Sequence, residues 1–123
     1  MKTVRVLVIE DDPWLGKVFE RALKKDRYKV RVVAHGMSAL DMVDKFMPDV
    51  IVSDILLAGG TVFALLHELQ SYSDTGFIPV ILCSNVAEMM HDIDPAAYGI
   101  REVFDKATVT PDALVTAIKR VLP

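Results

Sequence analysis

The chain has 123 residues, enough for one domain spanning 1–123, and its 52% hydrophobic content supplies an ample core. A net charge of −3 gives no argument for binding nucleic acid or a membrane, and no apolar stretch approaches the ~20 residues of a membrane span. Cys83 is the lone cysteine, which excludes an intramolecular disulfide and a cysteine metal cluster. Charged residues interrupt the first apolar run, so no signal peptide is read and a cytoplasmic protein is expected.

Strand and helix patterns alternate five times. Thr3–Glu10 reads as a strand rich in Val, Leu and Ile. Asp12 is placed to cap the next helix with Pro13 at its first position, followed by Trp14, Leu15, Val18, Phe19, Ala22 and Leu23 at helical spacing. Tyr28–Ala34 is a second strand. Ser38 is placed to cap a helix that runs to Phe46, before Pro48. Val50–Ser53 is the third strand. Ala58-Gly59-Gly60 is a loop, and Thr61 can cap a helix over Val62–Tyr72. Ile78–Ser84 is the fourth strand, and a helix is expected around Ala87–Ile93, broken or restarted by Pro95. Val103–Asp105 is a short fifth strand, and Thr110-Pro111-Asp112 opens a last helix. Near-continuous apolar strands alternating with helices predict a parallel sheet covered on both faces.

Charge is uneven. Residues 1–31 carry nine Lys/Arg against five acids, and the remainder carries five against twelve. The basic residues (Lys17, Arg21, Lys24, Lys25, Arg27, Lys29 and Arg31) read as a solvated helix face and strand edge. The placement of the acids is more informative. Glu10, Asp11 and Asp12 end one apolar run, and Asp54 ends another. In a parallel sheet ligands bind beyond the carboxyl ends of strands, where the winding reverses. Carboxylates gathered there repel one another and call for a cation, and hard oxygen donors suit Mg²⁺. Ser84 and Lys106 fall at or just past two further strand ends. His35, His67 and His91 share no ligand spacing and read as surface or packing residues, and Cys83 reads as a small buried hydrophobe.

The set Val8-Ile9-Glu10-Asp11-Asp12, Val52-Ser53-Asp54, Pro79–Ser84 and Phe104-Asp105-Lys106 resembles the receiver domain of two-component response regulators. Asp54 follows Asp11 by 43 residues, and Ser84 and Lys106 follow Asp54 by 30 and 52. The resemblance covers essentially the whole chain. It implies a flavodoxin-like, doubly wound α/β fold: a five-stranded parallel sheet of order 2-1-3-4-5 with five helices in three layers. It also implies roles. Asp54 would be the phosphoacceptor, taking the phosphoryl group from a phosphohistidine on a sensor histidine kinase or a histidine phosphotransfer protein. Asp11, Asp54, Glu10 (through water) and the backbone carbonyl of Leu56 would hold Mg²⁺. Lys106 and the Ser84 hydroxyl would meet phosphoryl oxygens. The chain would be no enzyme beyond promoting its own phosphorylation and dephosphorylation. Its output would pass to a downstream protein through the face between the fourth and fifth helices, with no nucleic acid or membrane bound by this domain. Leu56 and Val86, each two residues past a site residue, would flank the approach of a hydrolytic water.

The chain departs from that family at several positions. Ala107 stands where proline usually follows the lysine, in a bond that is usually cis; before alanine a cis bond costs roughly 2.5–4 kcal/mol, so the loop either keeps that strain or takes another path. Val103 replaces the switch aromatic, and Asn85 replaces the small residue after the Ser/Thr position. Ala58 and Val62 replace a common proline and glycine, and Pro95 interrupts the fourth helix. Two other readings compete. A phosphorylation-independent interaction module is opposed by the complete Glu10/Asp11/Asp54/Ser84/Lys106 set, and a Mg²⁺-dependent phosphate-ester hydrolase by the little room left for a substrate pocket.

Overall fold

Branched aliphatic runs become strands because their side chains fill both faces of a buried sheet. In the computed structural model, which describes residues 2–85 and 87–123, five such runs pair in parallel. They are β1 (Arg5–Ile9), β2 (Lys29–Val33), β3 (Val50–Ser53), β4 (Val80–Ser84) and β5 (Ile100–Asp105). Their spatial order is β2-β1-β3-β4-β5, the expected 2-1-3-4-5. Alternation along each strand splits the core in two. Leu7, Ile9, Ile51, Val80 and Leu82 pack with α2 (Gly36–Phe46) and α3 (Val62–Gln70). Val6, Val8, Val52, Ile81 and Cys83 pack with α1 (Pro13–Lys25) and α4 (Pro111–Val121). The result is the three-layer α/β/α arrangement. Each fully buried Leu, Ile or Val contributes about 1.5–3 kcal/mol of burial energy.

The helix starts follow local chemistry unevenly. Asp12 caps α1, its carboxylate accepting from the Trp14 and Leu15 N–H groups at 2.9 and 3.3 Å. Thr110 caps α4 by accepting from Ala113 N–H at 3.1 Å. One expected cap position is corrected, and one is kept without its hydrogen bond. α2 starts two residues before Ser38, with His35 at the N-cap in extended conformation and no side-chain hydrogen bond; Ala39 N–H donates to His35 O at 2.9 Å, closing the first turn ahead of Ser38's capping position. Thr61 stands at the N-cap of α3 as expected but makes no side-chain capping bond, and Val62 N–H donates to Ile55 O at 2.8 Å. Of the Ala58-Gly59-Gly60 loop, Ala58 and Gly59 form the tip of a short antiparallel hairpin that pairs Leu56–Leu57 with Gly60–Thr61.

The count of five helices is also corrected: the described residues hold four α-helices, and the β4–β5 connection is two 3₁₀ turns, Ala87–Met90 and Pro95–Tyr98. The reason is local. His91 and Ile93 make only three-residue bonds, to Glu88 O and Met90 O. Pro95 lacks an N–H and its ring opposes helix on its N-terminal side. Asp94 then caps a new turn through Ala96 N–H at 3.2 Å. Gly99 ends that turn at φ +74, where a Cβ would also come within 3.3 Å of the Ile78 carbonyl. The Tyr98 ring packs on Phe63 of α3, centroids 5.4 Å apart, and fixes the second turn to the layer below. β5 begins at Ile100, three residues earlier than its apolar pattern suggests, because sheet pairing with β4 overrides the polar Arg101 and Glu102.

Candidate functional site

Parallel register brings the strand ends level. Ile9 pairs with Ser53, so Glu10 and Asp54 emerge side by side, and Asp54 N–H still donates to Ile9 O at 3.2 Å. Ser84 pairs with Asp105, which places Lys106 one step beyond; its N–H donates to Ser84 O at 3.1 Å. β1 and β3 are the central pair from which the winding runs in opposite directions, so these residues stand at the switch point of the sheet.

The Lys106 ammonium sits between two carboxylates, 2.5 Å from Asp54 Oδ2 and 2.7 Å from Glu10 Oε1. Its side chain is 13% exposed, and those of Glu10 and Asp54 are 3% and 12% exposed. The remaining oxygens take backbone donors. Asp54 Oδ1 accepts from Ile55 N–H at 2.7 Å, and Glu10 Oε2 accepts from Asp12 N–H at 3.0 Å. Asp11 is exposed, yet Glu10, Asp11 and Asp54 each offer one oxygen within 4.8 Å of the others. Three carboxylates against one ammonium leave two negative charges unbalanced, which is the charge of one divalent cation. The donors are all hard oxygens, so the residues present fit Mg²⁺.

Burial pushes the Glu10 carboxyl above its ordinary value, against the hydrogen bonds from Lys106 and the Asp12 N–H and the charge of Lys106. Burial also pulls the Lys106 ammonium down, but its hydrogen bonds to Asp54 and Glu10 outweigh that, and the net direction is up. Lys106 is therefore a fixed positive charge. Cys83 lies under the site on β4, and burial pushes its thiol up to about 12.

The structure thus gathers Glu10, Asp11, Asp54 and Lys106, with Ser84 fully buried beside them at the end of β4. Leu56 lies two residues past Asp54 in the hairpin, half-exposed. Val86 lies outside the described residues. Asp12 acts as a helix cap, as read. No peptide bond among the described residues is cis, so Lys106–Ala107 is trans and the loop takes another path. Val103 is on the exposed side of β5. Residue types gave no sign of the Ile55 and Asp12 N–H donors, because every residue but proline carries one. A surface cavity of about 910 Å³ opens at the opposite, amino-terminal edge of the sheet, beside Lys2, Asp49, Phe77 and Arg101, away from this chemistry.

Comparison with known proteins agrees with this geometry. Residues 6–119 match the model of the response regulator receiver domain. The transcriptional regulatory protein BaeR of Escherichia coli is 28% identical over 120 residues, covering 98% of this chain and 48% of BaeR. A 3',5'-cyclic-nucleotide phosphodiesterase of Dictyostelium discoideum, regA, is 34% identical over 86 residues, 68% of this chain and 11% of that protein. The chain therefore spans less than half of either relative. Among solved structures, the chemotaxis response regulator CheY4 of Vibrio cholerae superposes with a TM-score of 0.87 at 24% identity, covering 98% of this chain and all of CheY4. The receiver domain of the sensor histidine kinase PA1611 of Pseudomonas aeruginosa, with a magnesium ion coordinated in its active-site cleft, gives 0.83 at 21% identity over 97% of both chains. With the fold, the strand-end acids and the family match in agreement, the chain belongs to the response regulator receiver family.

Proposed function

We propose that this protein is a phosphorylatable receiver and that Asp54 is its phosphoacceptor. The observation that carries the reading is the position of Asp54 at the switch point, with Lys106 on one oxygen and Glu10 and Asp11 beside it. An oxygen of the Asp54 carboxylate attacks phosphorus as the bond from phosphorus to the donor imidazole nitrogen breaks; the electron pair of that bond stays on the imidazole. Such transfers depend on positioning and charge stabilisation more than on covalent chemistry. Lys106 follows the charge onto a phosphoryl oxygen, and the Ser84 hydroxyl takes another. Glu10, Asp11, Asp54 and the Leu56 carbonyl would hold Mg²⁺, which when bound neutralises the negative charge shared by acceptor and phosphoryl oxygens. The magnesium ion in the PA1611 receiver supports the same use of this site.

The donor is a phosphohistidine on a sensor histidine kinase or a phosphotransfer protein, and the receiver turns over only its own aspartyl phosphate. The output leaves through the face built by the two 3₁₀ turns, β5 and α4, toward a downstream protein in the cytoplasm. Among the described residues no helix is long and apolar enough to cross a membrane. The test is intact mass before and after incubation with Mg²⁺ and acetyl phosphate. One acid-labile phosphoryl group is expected, absent without Mg²⁺ and absent in Asp54→Asn. Mg²⁺-dependent labelling of that variant at another residue would overturn the assignment.

A further inference from the structure

Lys106 can bridge Asp54 and Glu10 only if its backbone is held, because four rotatable bonds separate its Cα from its ammonium. On its N-terminal side the hold is the sheet: Lys106 N–H donates to Ser84 O at 3.1 Å. On its C-terminal side the hold is Asp105. The Asp105 carboxylate accepts from Ala107 N–H at 2.9 Å. The Asp105 carbonyl accepts from Thr108 N–H at 3.1 Å and from Val109 N–H at 3.0 Å. At the end of β5 Phe104 and Lys106 are partly covered and Asp105 is exposed, and the gathered carboxylates are those of Glu10, Asp11 and Asp54. Aspartate is suited to this because its side chain bonds the backbone two residues on. With the Lys106–Ala107 bond trans, Ala107 presents an N–H at the bend, and Asp105 takes it.

We propose that Asp105 is a positioning residue for phosphoryl transfer: by closing the turn after β5 it fixes the Lys106 Cα so that the ammonium reaches the acceptor. The inference rests on Asp54 being the acceptor, and its test is built so that the two can fail separately. Asp105→Ala removes the acceptor oxygen, and Asp105→Asn keeps one without the charge. Two quantities are read on the full chain, with a thermal melt to show that each variant is folded. The first is the rate of phosphorylation by acetyl phosphate with saturating Mg²⁺, over a range of donor concentrations. The second is the rate of Lys106 acylation by acetic anhydride in pulse labelling, referenced to exposed Lys25 in the same molecule.

Loss of one such hydrogen bond predicts an about five-fold lower maximal phosphorylation rate in Asp105→Ala at unchanged half-saturating donor. Lys106 acylation should rise by a similar factor as the ammonium spends less time between the carboxylates. Asp105→Asn should restore both to near the parent. Parent-like values of both in Asp105→Ala would overturn the inference, as would an Asp105→Asn variant as impaired as Asp105→Ala. A parent that takes up no phosphoryl group would instead defeat the acceptor assignment; acylation needs no transfer and would still decide whether Asp105 holds Lys106.

Discussion

Replacing Lys106 by methionine keeps the aliphatic stem and deletes the charge between Glu10 and Asp54. At 2.7 Å and an effective dielectric of about 20, one such pair attracts by roughly 6 kcal/mol before desolvation is counted. Removing one partner of a buried pair costs about 3–5 kcal/mol, because the other charge is left uncompensated. Lys106 retains 13% exposure, so water can reach the vacated space and the low end applies. A loss of about 3 kcal/mol in a chain of this size lowers the melting temperature by about 12 °C. The assay is thermal melting followed by circular dichroism at neutral pH with EDTA. Mg²⁺ should then stabilise Lys106→Met more than the parent, since the freed oxygens of Glu10 and Asp54 no longer answer to an ammonium. The pH response has a definite sign. Glu10 is already held above its ordinary value by burial, and losing Lys106 removes two influences that lower it. The folded variant then takes up a proton that the unfolded chain releases, so its stability rises as pH falls from neutral toward the raised Glu10 value. Adding Glu10→Gln should recover much of the loss. A variant that melts with the parent in EDTA and gains the same from Mg²⁺ would refute the claim that Lys106 neutralises this cluster.

Mg²⁺ should raise the melting temperature of the parent, with a linkage gain of about 2.7 kcal/mol at a hundredfold excess over Kd. Trp14 should report it by fluorescence, because Glu10 holds the Asp12 N–H and Asp12 in turn caps Trp14; Asp11→Asn should flatten both signals. Cys83 should resist alkylation in the folded protein at mildly alkaline pH. Its thiol ionises near 9 in the unfolded chain and only near 12 when folded, so this group alone should lower stability by about 1.4 kcal/mol per pH unit through that window, a slope that Cys83→Ala should lack. Chemical-shift changes on the β5 and α4 surface upon phosphorylation should survive Val103→Ala and vanish in Ser84→Ala, because Val103 is already exposed and has no ring to reorient; equal loss in both variants would place Val103 in the signal path.

The sheet was legible because its signal is repeated. Each central strand is an apolar run in which both faces are buried, and no other element class suits residues such as Val6–Ile9 or Val50–Val52. Helix starts were legible where a side chain supplies the cap, at Asp12 and Thr110. Thr61 also marked the start of α3 at Val62, though its side chain makes no capping bond, whereas the start of α2 at Gly36 was not legible. The β4–β5 connection shows the same limit. Pro95 announces a break, but the split into two 3₁₀ turns depends on Asp94 capping a restart and on Gly99 reaching a left-handed conformation beneath Ile78. Those are tertiary facts, and the expected fourth helix had no pattern of its own strong enough to oppose them.

Within the site, the parts that sequence revealed are those whose chemistry needs a particular side chain. A carboxylate at a strand end has no packing use, so Glu10, Asp11 and Asp54 stand out, and register then makes them neighbours. Lys106 was readable only jointly with them, since an isolated lysine past a strand is ordinary surface. The missing proline at Ala107 left two paths for the loop, and residue identity alone could not choose between them. In the trans turn the Asp105 side chain and carbonyl accept from the N–H groups of Ala107, Thr108 and Val109, while Lys106 N–H goes to Ser84 O. A buried charge offsets its desolvation only when its partners meet it in good geometry. The position of the lysine therefore depends on the residues that shape its loop as much as on the lysine itself, and those residues carry no signature until the turn is seen.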